Sequence, residues 1–261
     1  MKSLFFFIFY GMLSLSLSAQ TVINTEEMRL RDNKKSLVGL FNFSFGMTQN
    51  KAGLYIKPNA DVRLEWAQGQ HRWITLGGYQ LTRFSNLDVP GSLPRNFTHK
   101  GFGHLRYNRK TAGRVTWEAF TQYQFDQVQE IDHRFLLGTG PRWEIMKSDS
   151  VFIFAGVMYM YEYEQTSAEQ ILLNRHHRLS SYLTAGINFN ENVGLNNTTY
   201  YQPRPDIWSD FRISTVTQLF ARVSKQLSFT LNFSLVYDSR PPETVPPRMF
   251  DMTAGLSYQL K

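Results

Sequence analysis

The 261-residue sequence contains no cysteine. That excludes a disulfide framework, a lipid-bearing cysteine after a leader, and thiol catalysis. Long apolar runs are scarce. Mean hydropathy is −0.34, and only Leu4 to Leu17 forms a sustained apolar stretch, whereas each membrane helix needs about 20 such residues. A bundle of membrane helices is therefore excluded. Dense runs of lysine or arginine are also missing, so the formal net charge of +7 points to no nucleic-acid partner. P-loop, dinucleotide and His-Glu-x-x-His patterns are absent from the sequence. No cofactor, no metal site and no catalytic residue are expected.

What the sequence has in quantity is aromatic side chains, 21 Phe, 13 Tyr and 5 Trp, arranged in alternation. From Leu54 to Trp66, Leu54, Ile56, Ala60, Val62, Leu64 and Trp66 alternate with Tyr55, Lys57, Asp61, Arg63 and Glu65. A strand sends successive side chains to opposite faces, so this segment has one apolar and one charged face. The pattern opens at about Leu37 with Phe41, Phe43, Phe45 and Met47 on one face. It returns at Trp73–Phe84, Gly101–Arg109, Val115–Phe125, Ile131–Ile145, Val151–Tyr163, Leu179–Phe189, Val193–Tyr201, Phe211–Val223, Leu227–Tyr237 and Phe250–Leu260. Recurring strands near ten residues long, apolar on one side and polar on the other, predict an all-β, antiparallel, up-and-down transmembrane β-barrel of about twelve strands. Pro58 interrupts its strand and predicts a bulge or the end of a ladder.

The connections support the same architecture. Short links such as Lys147–Ser150, Asn190–Asn192 and Ser224–Gln226 alternate with longer ones, Ser85–Asn96, Glu164–Arg175, Gln202–Asp210 and Ser239–Pro247. Short periplasmic turns and longer external loops are the arrangement of outer-membrane barrels. Lys2, the apolar Leu4–Leu17 run and the small residues Ser16-Leu17-Ser18-Ala19 predict a secretory signal over residues 1–19. Residues 20–35 then form a periplasmic N-terminal segment, and residues 36–261 the barrel. Within the external loop, Ser167-Ala168-Glu169-Gln170 has the spacing of a helix cap.

The blocks Gly103-His104-Leu105-Arg106-Tyr107-Asn108, Trp117-Glu118-Ala119-Phe120-Thr121-Gln122, Arg134-Phe135-Leu136-Leu137-Gly138-Thr139-Gly140, Met160-Tyr161-Glu162-Tyr163-Glu164 and His177-Arg178-Leu179-Ser180-Ser181-Tyr182 resemble a domain-of-unknown-function family that includes a salt-induced outer-membrane protein. The resemblance runs from about Gly101 to Tyr182. It implies an outer-membrane barrel and carries no substrate and no catalytic residues.

The inward parity of the strands collects acids and bases together. Asp132, Arg134, Glu162, Glu164 and Arg178 form a candidate ionic cluster near the external ends of their strands. The short Lys147–Ser150 turn sets Arg134 across from Glu162 or Glu164. Phe120, Leu136, Phe154, Met158 and Met160 share the inward face and predict an apolar waist. A barrel enzyme acting on envelope lipids would need a serine beside a histidine. His177 and Ser180 have opposite parity, and His176 lies about 13 Å from Ser180 along an extended chain. The sequence thus predicts a bacterial outer-membrane barrel, either a narrow passive channel or a structural barrel. Its expected partners are outer-membrane lipids, the barrel-assembly machinery and small solutes. The competing readings are that enzyme and a soluble periplasmic β-sandwich.

Overall fold

Period-two alternation means that each segment can bury one face only by joining a sheet whose other face meets a different medium. The computed structural model describes residues 37–51, 53–86, 92–111, 113–166, 172–224 and 227–258. The expected signal, the N-terminal segment and the helical turn at Ser167 lie outside the described residues. The described residues form twelve strands: β1 (Leu37–Asn50), β2 (Gly53–Gln68), β3 (His71–Ser85), β4 (Arg95–Lys110), β5 (Val115–Asp126), β6 (Ile131–Lys147), β7 (Val151–Thr166), β8 (Leu173–Asn188), β9 (Val193–Arg204), β10 (Ile207–Arg222), β11 (Leu227–Asp238) and β12 (Arg248–Tyr258).

Each strand pairs antiparallel with the next in a single sheet ordered β1 to β12. The sheet rolls into a barrel, because side chains from strands that are not neighbours meet inside it. Tyr182 on β8 donates a hydrogen bond of 2.7 Å to Glu118 on β5, and Arg212 on β10 reaches Glu162 on β7. Among the described residues, no backbone ladder joins β1 to β12.

The outward wall is apolar and the interior is charged. Leu64, Leu105, Phe135, Leu137, Val157, Tyr159 and Leu183 are exposed outside, whereas Arg106, Glu118, Glu162 and Arg178 are buried inside. That inversion is the one a barrel needs in hydrocarbon. Near the short-turn end Trp66, Trp73, Trp117 and Trp143 are all partly exposed on the outer wall. They follow one another around it: Trp66 faces Trp73, Trp73 faces Tyr107, and Trp117 and Trp143 continue the band on β5 and β6. This is an aromatic girdle at one interface.

One connection differs from the alternation expected. The Gln202–Asp210 link is a tight turn at Pro205-Asp206, since β9 runs on to Arg204 and β10 begins at Ile207. Its prolines suggest a loop, but the ladder accommodates them through an irregularity between Ile207 and Phe211. At Pro58 the β2–β3 ladder lacks pairs at Lys57 and Pro58 yet resumes in the same register. The missing donor removes local bonds without bulging the strand. Glu130, in the β5–β6 turn, adopts the left-handed region at φ 56°.

Candidate functional site

The lumen is built in layers, each set by strand parity. Near the long-loop end, Arg134 on β6 stands opposite Glu164 on β7. Its guanidinium forms an ion pair with Glu164 and lies 3.4 Å from Glu162. Glu162 also accepts from Arg178 at 2.6 Å and from Arg212. Arg178 in turn reaches Asp210 at 3.0 Å, which Arg204 contacts at the same distance. Arg212 closes the set on Asp238 at 2.6 Å. Four arginines therefore interleave with four carboxylates, and each buried charge finds an opposite partner, as burial demands. Four of the five residues expected in the ionic cluster, Arg134, Glu162, Glu164 and Arg178, come together here.

Asp132 does not join them. Ile131 pairs with Thr166 and His133 with Gln165, so Asp132 is the extra residue of a β-bulge. The bulge defeats simple parity counting. The Asp132 side chain is 46% exposed and sits 3.6 Å from His133, with a hydrogen bond from Gln165. Arg204, Asp210, Arg212 and Asp238 are members that the expected cluster did not include. Arg204 lies in the segment that reads as loop, and Asp238 touches Arg212 only because β10 and β11 register brings them level.

Beneath the ionic layer lies an apolar one of Phe120, Leu136, Met158, Met160, Tyr182 and Tyr200. Leu136, Met158 and Met160 have no exposed surface, so no water-filled path runs beside them. Phe154, expected in this waist, is displaced toward the short-turn end, where it stacks under Arg142 with the guanidinium 4.0 Å from the ring centre. Tyr182 and Tyr200 replace it, their rings 5.3 Å apart. Glycines make room for the rings. Phe120 faces Gly138 across the β5–β6 ladder, and a Cβ at Gly138 would meet the ring at 2.4 Å. Tyr182 lies over Gly156 in the same way. Farther down, Glu118 sits between Arg106 and Arg142 at 3.5 and 3.6 Å, a second ionic layer.

The wall opposite is of another kind. Gln218 on β10, Thr230 and Asn232 on β11 and Thr253 on β12 face inward and are all part-exposed. Gln218 and Asn232 share a hydrogen bond of 3.0 Å. At the long-loop end a cavity of about 640 Å³ opens over the ionic layer. Its floor includes Arg134, Glu164 and Arg212, and its cover is the proline-containing β11–β12 loop. That loop is fastened to the β5–β6 turn by a hydrogen bond from Thr244 to Glu130. The histidine pair splits across the wall: His176 lines the cavity near Arg204, and His177 points outward to Tyr159. Ser180 accepts its hydrogen bond from Gln202, not from a histidine.

A family model, described as a protein of unknown function, DUF481, matches residues 57–260. The chain belongs to the DUF481 family. The match spans β2 to β12 and so includes every residue of the layers above. Three solved structures are similar in outline to this DUF481 member. The NanC porin, in a rhombohedral crystal form, shares 10% identity at a TM-score of 0.47, over 86% of this chain and 98% of that one. A bacterial polysaccharide outer membrane secretin shares 10% identity at a TM-score of 0.41, over 86% and 91%. A deletion mutant of the TodX monoaromatic hydrocarbon channel shares 8% at a TM-score of 0.41, over 86% and 79%. No curated protein matches the sequence.

Proposed function

We propose that this DUF481 protein is a bacterial outer-membrane barrel that passes small hydrophilic solutes through a narrow, off-centre path. The observation that carries this reading is the inequality of the two interior walls. Along β5–β8 the lumen is filled by Phe120, Leu136, Met158 and the two ionic layers. Along β10–β12 the inward residues include the polar Gln218, Thr230, Asn232 and Thr253, which keep partial access to solvent, beside Val216, Phe220 and Val236. A path along the polar strip offers hydrogen-bond partners to water and solutes. The upper ionic layer, with four arginines and four carboxylates, favours neither sign of ion. The small bore excludes bulky solutes. Export by the N-terminal signal and assembly by the envelope's barrel-insertion machinery belong to this reading.

Planar-bilayer recording of the purified protein tests it. Wild type should give small, stable conductance steps, and Asn232→Trp should lower them by narrowing the polar strip. Conductance that is unaffected by Asn232→Trp would place the path elsewhere. A wild type without any conductance would make the barrel a filled, structural one.

A further inference from the structure

The outward face of β6–β8 has an uneven chemistry that the lumen does not explain. From the short-turn end upward it is apolar: Phe135, Leu137, Val157, Tyr159 and Leu183 are each at least 41% exposed. At the long-loop end it turns polar and carries the cation Arg175. Arg175 and His177 occupy adjacent outward positions of β8 and are both exposed. Neighbouring outward positions on one strand are about 6.8 Å apart, close enough for both side chains to reach one phosphate group.

Both side chains are held in place by aromatic rings of β7. Tyr163 pairs with Arg175 and Tyr161 with His177 across the ladder. The Arg175 guanidinium lies 5.8 Å from the centre of the Tyr163 ring. His177 packs between Tyr159 and Tyr161, with ring centres 5.7 and 5.4 Å away. The Tyr159 hydroxyl is bonded to His177 Nδ1. When that hydroxyl donates, the imidazole proton resides on Nε2, which is left as a donor. No outward residue of β7 or β8 is an acid, because Glu162 and Glu164 point into the lumen. On β6 the half-exposed acid Asp132 lies 3.6 Å from His133.

We propose that this strip is a binding site for an anionic, phosphate-bearing membrane lipid. Its phosphate lies between Arg175 and His177, and its acyl chains lie down the apolar wall toward Leu137 and Leu183. A lipid fits better than a free phosphate because the Arg175–His177 pair and the apolar wall form one continuous surface on the side that faces the bilayer. Charge-assisted hydrogen bonds hold the head, and apolar burial holds the tail. The site is independent of the solute path, since no residue of one contributes to the other.

The test uses full-length protein in nanodiscs of phosphatidylcholine doped with phosphatidic acid or with diacylglycerol, which lacks the phosphate. Native mass spectrometry of the released protein counts the retained lipid. Wild type should retain phosphatidic acid in preference to diacylglycerol. Arg175→Ala combined with His177→Ala should reduce that preference roughly tenfold, the scale of one surface cation and one hydrogen bond at a membrane. Arg175→Lys, which keeps the charge, should retain most of it and guards against a double variant that does not fold. Excess inorganic phosphate should displace nothing. Equal retention of the two lipids, an unchanged preference in the double variant, or displacement by inorganic phosphate would each overturn the proposal. Conductance of the same variants should match wild type, so a failure here is distinct from a failure of the solute path.

Discussion

Arg134 faces Glu164 directly across the β6–β7 ladder, and the same guanidinium lies within 3.4 Å of Glu162, two residues down the strand. Register alone therefore does not choose its partner. The arginine bridges both glutamates, and Arg212 approaches the same pair from β10.

Arg134→Ala should leave these buried carboxylates short of a cation and destabilise the folded barrel by about 3–5 kcal/mol. In double-mutant cycles measured by denaturant titration in lipid, Arg134 should couple with Glu164 and with Glu162, each by about 0.5–3 kcal/mol. Simple additivity with both glutamates would show that the network does not form.

Two aspartates near this layer should behave oppositely. Asp210 is buried and bonded by Arg178 and Arg204, so Asp210→Ala should cost about 3–5 kcal/mol by stranding those cations. Asp132 is half-exposed on its bulge, and Asp132→Ala should cost no more than about 1 kcal/mol. The same titration compares them; equal losses would contradict the bulge.

The orientation of β11 can be read from adjacent residues. Phe233 is exposed on the outer wall and Asn232 faces inward. Phe233→Arg should impair folding into bilayers by about 2–4 kcal/mol near the midplane, and Asn232→Arg by much less. Refolding yield across a urea series gives both values, and matching penalties would argue against lipid on the outer face.

Gly138 is required by the ring above it, since its added Cβ would lie 2.4 Å from Phe120. Gly138→Ala should cost about 1–3 kcal/mol through forced displacement of that ring. Adding Phe120→Leu should recover part of the loss. A double variant less stable than the sum of the two single losses would mean that the contact does not set the glycine.

The amino-acid sequence by itself determined the number of strands, their facing and most of the lumen lining, because side-chain alternation is a local property with a period of two. Arg134, Glu162, Glu164 and Arg178 were legible from parity, and Phe120, Leu136, Met158 and Met160 from parity and apolarity. Only the tertiary structure decided what depends on departures from that period. The bulge at Ile131–His133 removed Asp132 from the cluster, and the irregularity after Ile207 turned an apparent loop into paired strand and supplied Arg204. It also decided the contacts made across the interior, Arg212 to Glu162 and Tyr182 to Glu118. These depend on how far the sheet curls, a property of the whole ladder that no single strand encodes.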